Sequence, residues 1–213
     1  MMTISFAEKP LIEHMADLFP LPRSLSGHGQ IKTLEYFEKY FPELQRLSFQ
    51  SGTKVFDWTI PLEWNVKDAY FQNLQTGKKY ADFHVNNLHL VGYSEPINTV
   101  VDLDELQRHL YSLPDTPYWV PYVTSYYSRN WGFCINEITR SSLPAGDYRI
   151  FIQTTLQKGS INISHAQFKG QYQKEIFSFS LSLFTLSCLG GYYMNITASH
   201  WAEKHQWTKE CLD

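Results

Sequence analysis

The chain has 213 residues, with 18 Lys+Arg against 21 Asp+Glu, a formal net charge of −3, and 43% hydrophobic and 18% charged residues. That balance excludes wholesale disorder and a nucleic-acid phosphate tracker, which needs a clustered basic excess. The length sets one domain, or a domain with an insertion. Aromatic content of 16%, from 14 Tyr, 14 Phe and 6 Trp, points to β-rich packing or a stacking surface.

The first elements read as helical. Leu11, Ile12, Met15, Leu18 and Phe19 form a one-sided apolar stripe that Pro20 and Pro22 end. A loop from Arg23 to Gly29 leads into a second helix with Ile31, Leu34, Tyr36, Phe37 and Tyr40, stopped by Pro42. At Leu44 the period changes from helical to two. One strand is expected through Leu47 and Phe49, a second from Val55 to Ile60, and a third from Val66 to Leu74 with a turn at Thr76-Gly77. Tyr80–Phe83 and Leu88–Tyr93 continue the strand pattern, with Asn86-Asn87 as a turn, since Asn tolerates left-handed angles.

Asp102 or Asp104 caps a helix carrying Leu103, Leu106 and Leu110. The proline-rich stretch Leu113–Pro121 is unfit for helix, Trp131–Ile135 reads as a short strand, and Asn136 caps a brief helix. Tyr148–Thr154 and Ser160–Phe168 read as a long hairpin around Lys158-Gly159, and Ile176–Leu183 alternates strictly with Ser. The charge-free stretch between Glu175 and Glu203 is long enough to span a membrane, but its Ser, Thr and Gly content and its alternation suit a buried strand better.

The 3 cysteines, Cys134, Cys188 and Cys211, share no C-x-x-C spacing and make neither a disulfide framework nor a zinc knuckle. Charges at Glu8, Lys9, Glu13 and Asp17 break any leader-like apolar run, so a cytoplasmic protein is expected and the two glycosylation-type triplets, at Asn162 and Asn195, are chance matches. No nucleophile elbow, phosphate-binding loop or H-E-x-x-H helix occurs. His84 and His89, five apart in strand-like sequence, fall on opposite faces and do not ligate together; His200 and His205 lack a third acidic ligand.

Candidate binding residues lie elsewhere. His28 sits between Gly27 and Gly29, which would permit close approach of a ligand or simply mark a helix-entry loop with a solvated ring. Arg23 is either a clamp on backbone carbonyls or an anion-binding group. Tyr126, Tyr127, Arg129 and Trp131 form an aromatic-polar segment in which the two adjacent tyrosines cannot both face inward on a strand.

Several blocks resemble a bacterial family of zinc aminopeptidase-like proteins: Phe19–Gly27, Ser51–Asn65, Asn87-Leu88-His89, and Pro121–Tyr127 with Trp131-Gly132-Phe133. The resemblance runs from about Leu11 to about Ile176. It implies an α+β chain: the N-terminal portion of an α/β aminopeptidase-type domain that carries an inserted β-rich domain, its main sheet incomplete. It divides the chain into opening helices (1–45), the insertion (46–145), return strands (146–182) and a divergent tail (183–213). Members of the family often sit among genes for surface-polysaccharide biosynthesis, and their activity would be zinc-assisted hydrolysis of a terminal amide or peptide bond.

The departures bear on function. His28 and Gln30-Ile31-Lys32 stand where the family commonly has Asp and Val-Arg-Glu. Beyond Glu175 the family's His-Pro-Ser motif and Leu-Ser-Gly loop, which begin its metal centre, have no counterpart. The resemblance therefore implies a truncated or frameshifted product that binds no zinc and is inactive alone. Its partners would be a small peptide, an amino-acid amide or a sugar-linked substrate, with no nucleic acid. A competing expectation is a non-catalytic module that recognises a glycan or peptide.

Overall fold

In the computed structural model of this chain, residues 6–166 are described. The strand expected at 176–183, the tail 183–213, Cys188, Cys211, His200 and His205 lie outside them.

Pro10 opens α1 (Leu11–Leu18), and the chain leaves it ahead of Pro20. Leu11, His14, Met15 and Leu18 make up the packed face, at i, i+3, i+4 and i+7. Ile12 and Phe19, expected in the same stripe, are exposed, because each lies about a quarter-turn off that face. α2 (His28–Glu38) contributes Phe37 to the same small core with Phe6 and Leu18, and Tyr36, Tyr40, Phe41 and Leu44 pack around it.

The period change at Leu44 marks a real boundary, since β1 (Gln45–Gln50) begins there. The single strand expected over 55–60 is a small hairpin, β2 (Lys54–Val55) and β3 (Trp58–Thr59). Phe56 sits at its tip with φ 56° and 99% exposure. Apolar residues at consecutive positions hid that reversal from a reading by period. β4 (Glu63–Asn73) follows as expected, starting a few residues earlier than Val66, whereas the strand expected over Tyr80–Phe83 is only the two-residue β5 (Lys79–Tyr80), after which the chain turns.

Leu88–Tyr93 is not a strand. A 3-10 turn over Asn87–His89 is followed only by single bridges from Leu90 to Phe133 and from Gly92 to Thr124. Asn86 acts through its side chain, which accepts the Leu88 N–H at 3.0 Å, while its backbone is extended. β6 (Ile97–Asp102) was not legible beforehand, but the helix after it was. Asp102 caps α3 (Leu103–Arg108) by accepting the Glu105 N–H at 2.8 Å. β7 (Leu110–Tyr111) pairs in parallel with β8 (Phe133–Cys134), and Asn136 caps α4 (Glu137–Ser141) through the Thr139 N–H at 2.7 Å.

β9 (Asp147–Gln157) and β10 (Ser160–His165) are not the two arms of a hairpin. β9 is paired by β4 along Tyr148–Gln157 and by β6 along Asp147–Ile152, in an antiparallel sheet of order β5-β4-β9-β6 that does not include β10. β10 instead pairs with β1, from Gln50 opposite Ser160 to Gln45 opposite His165. The boundary expected at 145/146 therefore runs through a hydrogen-bonded sheet, and the β unit spans Ser51 to Gly159. The two-stranded neck β1–β10 closes it, extended by Ser51 N–H donating to Gly159 O at 2.9 Å.

The core lies on one face of the central sheet, where Tyr148, Ile150, Ile152 and Thr154 of β9 alternate inward. On β4 the inward residues are Trp64, then Ala69, Phe71 and Asn73. An even position and three odd ones share a face because the register slips between Val66 and Asp68, and that bulge reverses parity. Phe133 and Tyr148 meet Phe71 edge-on, so much of the aromatic content is core packing.

His14 is wholly buried and stacks on Phe6 at 3.8 Å. Its Nε2 lies 3.0 Å from Phe6 O, which can only accept, so Nε2 carries a proton. Nδ1 lies 2.6 Å from Tyr36 Oη, which in turn lies 3.0 Å from Asp17, the ion-pair partner of Lys9. Burial, helped by the Lys9 charge, holds the ring below the ordinary histidine range, while Phe6 O, Asp17 and Glu13 oppose the shift. The neutral ring is thus the folded form, so stability is full above about pH 6.5 and falls as pH drops through that value. A proton-NMR titration of His14 is expected to give a midpoint below about 6.5. A midpoint above that value would refute the assignment.

Candidate functional site

Four separated stretches of chain meet at one shallow cleft. Phe19, Leu21, Pro22 and Arg23 come from the loop after α1, Trp64 from β4, Asn87 and Leu88 from the 3-10 turn, and Tyr122 from the loop after β7. Phe83, Leu90 and Gly92 complete the lining. All four stretches belong to the blocks that carry the family resemblance. The sequence therefore held the cleft's outline, though not the fact that these blocks converge.

Backbone contact fixes the wall between α2 and β4. Gly27 has φ 91°, and a Cβ there would fall 2.2 Å from Trp64 O and 2.8 Å from Asn65 Oδ1. A Cβ on Gly29 would fall 2.1 Å from Pro22 O. The glycines flanking His28 thus admit the protein's own backbone. The orphan N–H of His28 at the start of α2 is satisfied from a distance, by Asn65 Oδ1 at 2.7 Å. Ser26 Oγ accepts the Trp64 N–H at 3.2 Å and lies 2.8 Å from Tyr93 Oη. Asn87 Nδ2 donates to Phe19 O at 2.8 Å, tying the first stretch to the third.

The expected site residues divide. Arg23 lines the cleft beside Tyr122, whose hydroxyl burial pushes up and Arg23 pulls down. His28 is exposed, a helix-entry residue with its ring in solvent. Tyr126 is half-buried edge-on to Tyr93, and its hydroxyl is raised to about 12 by its bond to Tyr127 and by burial. Tyr127 is 77% exposed yet lies 4.2 Å from the Tyr126 ring, so the adjacent tyrosines differ in burial while packing together. Arg129 is outside the cleft lining, its side chain 85% exposed and 3.4 Å from Glu95. Trp131 stacks on His109 at 3.7 Å. Trp64, Tyr93, Asn87 and Tyr122 were missed as site residues, although Trp64, Asn87 and Tyr122 stood inside the resembling blocks.

The remaining titratable groups are engaged internally. His89 Nδ1 bonds Cys134 O at 2.8 Å, and burial holds the ring below its ordinary range. His109 bonds Trp131 O through Nδ1 at 2.9 Å and faces Glu105 at 3.3 Å through Nε2. Exposed His84 lies 3.4 Å from Asp68, well separated in environment from His89. Burial pushes the Cys134 thiol up to about 12, which keeps it protonated and unreactive. Among the described residues no group of three or more His, Cys, Asp or Glu is placed to hold a metal ion. The described residues therefore do not fit a zinc centre. No helix among them is long and apolar enough to cross a membrane.

Residues 63–155 match a domain of unknown function, DUF2172. Over 160 residues, 75% of this chain, the sequence is 42% identical to a protein of Clostridium acetobutylicum (strain ATCC 824), named as a candidate polysaccharide biosynthesis protein with an aminopeptidase-like domain. A crystal structure of a candidate peptidase from the same species matches with a TM-score of 0.68 at 42% identity, over 72% of this chain. The chain spans 36% of the length of each relative. The resemblance to aminopeptidase-like proteins thus holds, as does the mixed helix-and-strand fold with an incomplete sheet.

The interlock at the cleft wall has a direct test. Gly27→Ala and Gly29→Ala are each expected to destabilise the chain by roughly 1–3 kcal/mol, since backbone carbonyls occupy the methyl positions. Chemical denaturation of each variant measures this. Parent-like midpoints would show that the α2–β4 contact is loose.

Proposed function

We propose that residues 6–166 form the substrate-shaping part of an aminopeptidase-like protein, and that they contribute recognition with no chemical step. One observation carries this reading: the blocks shared with the family converge on a cleft that holds an arginine and a tryptophan. Arg23 brings a guanidinium to the lining, and Trp64, Phe83 and Tyr122 line it with aromatic rings. Such a lining suits a small peptide, an amino-acid amide or a sugar-linked amide.

Family hydrolysis at a terminal amide would be zinc-assisted, and a hydrolytic zinc needs about three protein ligands plus an open water position. The described residues bring no such set together. Under this reading the chain binds no zinc stoichiometrically and does not hydrolyse amides alone.

Plasma mass spectrometry on the purified chain, dialysed against zinc and then metal-free buffer, is expected to find far less than one zinc per chain. Near-stoichiometric retention would sink the assignment of recognition without chemistry. For the cleft, titration with leucinamide and with leucylglycine is expected to change tryptophan fluorescence in the parent. Arg23→Gln should weaken the dipeptide, which carries a carboxylate, several-fold more than the amide. Equal binding by parent and variant would remove Arg23 from the site.

A further inference from the structure

A second surface lies in the loop between β7 and β8. From Thr116 to Ser128 the chain contains no Asp, Glu, Lys, Arg or His, yet it holds several aromatic rings and hydroxyl groups. Tyr118 is 78% exposed and Trp119 is 66% exposed. Two large rings exposed side by side form a contiguous apolar patch, the kind of surface that meets a partner, unlike a ring exposed singly.

The loop is built to hold them. Pro114, Pro117 and Pro121 restrict its backbone. The Trp119 N–H donates to Thr116 O at 2.9 Å, closing a turn, and the Ile138 N–H donates to Pro117 O at 3.4 Å, anchoring that turn to α4. A stiffened loop loses little conformational freedom on binding.

Charge then narrows the ligand. The ionic groups of neighbouring α4 are spent internally: Glu137 accepts from Ser112 and Ser141 at 2.5 and 2.9 Å, and Arg140 donates to Gln107 Oε1 at 2.8 Å. Asp115 alone borders the segment at its start. A nucleic acid would call for cations, and an anionic membrane for a basic cluster. Protein interfaces are enriched in Arg as well as aromatics, and this segment has none. Flat rings without charge, flanked by hydroxyls, match the C–H faces and hydroxyl edges of a neutral sugar.

We infer that Tyr118 and Trp119 form a stacking platform for an uncharged oligosaccharide. The ring faces of successive pyranose units lie on the two aromatics, and the sugar hydroxyls stay partly in water. This surface is separate from the cleft lining, so it stands or falls independently of the substrate-shaping role.

Isothermal titration of the full chain with cellohexaose, chitohexaose and maltohexaose tests it. At least one is expected to bind. Trp119→Ala is expected to weaken that sugar by roughly tenfold, the scale of one lost aromatic stacking contact. Trp119→Phe, which keeps a flat ring, should retain most of the binding. Phe56→Asn removes an equally exposed ring elsewhere, at a left-handed position Asn tolerates, and should change nothing. The platform is refuted if none of the three sugars binds or if Trp119→Ala binds like the parent. Sedimentation showing that Trp119→Ala turns a dimer into a monomer would also refute it, assigning the surface to a second copy of the chain.

Discussion

Trp64 is held simultaneously by two parts of the chain that are distant in sequence, and the cleft exists because of how it is held. Its N–H reaches Ser26 in the loop before α2, its indole N–H donates to Ser94 O at 2.9 Å, and its ring stacks on Tyr93 at 5.6 Å. Ser94 O also accepts Thr154 Oγ1 of β9 at 2.9 Å, so the loop carrying Tyr93 is pinned to the central sheet. Tyr93 has φ 65°, a costly setting for an aromatic residue that persists only when its surroundings enforce it. Here the Trp64 stack on one side and the Ser26 hydroxyl on the other supply that enforcement. The bulge after Val66 is the precondition, because without it Trp64 would point away from the face that holds Phe71.

The neck gives this unit its separateness. β1 and β10 lie side by side over their full length, so the chain enters and leaves the β unit at one place. Gln30 then fastens the neck to α2: its amide donates to Asn162 O at 2.7 Å and accepts from Asn162 N–H at 3.3 Å, like an added rung on the strand. That side chain satisfies two buried backbone groups that would be costly to leave unpaired. A β unit on a two-stranded neck, wedged against the opening helices, forms one wall of a cleft whose other wall is the loop between those helices.

Much of this was legible in sequence, for physical reasons that differ by element. Helix ends marked by Pro20, Asp102 and Asn136 are local chemistry, and they were found because a cap acts within a few residues. β9 was found because its alternation is strict. The hairpin after it was misread because β10 takes a partner far away in sequence, β1, which a local alternation pattern does not reveal. Gly27 and Gly29 were recognised as permitting close approach, but sequence could not say that Trp64 O and Pro22 O do the approaching. His14 went unnoticed because a histidine in a helical stripe reads as a polar interruption, whereas its two nitrogens are both satisfied inside the small core. Arg23, half-placed by sequence as clamp or anion site, was the one expected residue that reached the cleft lining.

The distribution of reactive groups argues for what the described residues can do. His14, His89 and His109 spend ring nitrogens on backbone carbonyls, and Cys134 is kept protonated by burial. Groups so committed hold structure in place and are poor proton shuttles, because moving a proton would break a buried hydrogen bond. The groups left facing water are of another kind: the rings of Tyr118, Trp119 and Tyr127. Such groups bind and orient. The relatives are about three times longer than the matched stretch, so the described residues correspond to about a third of such a protein.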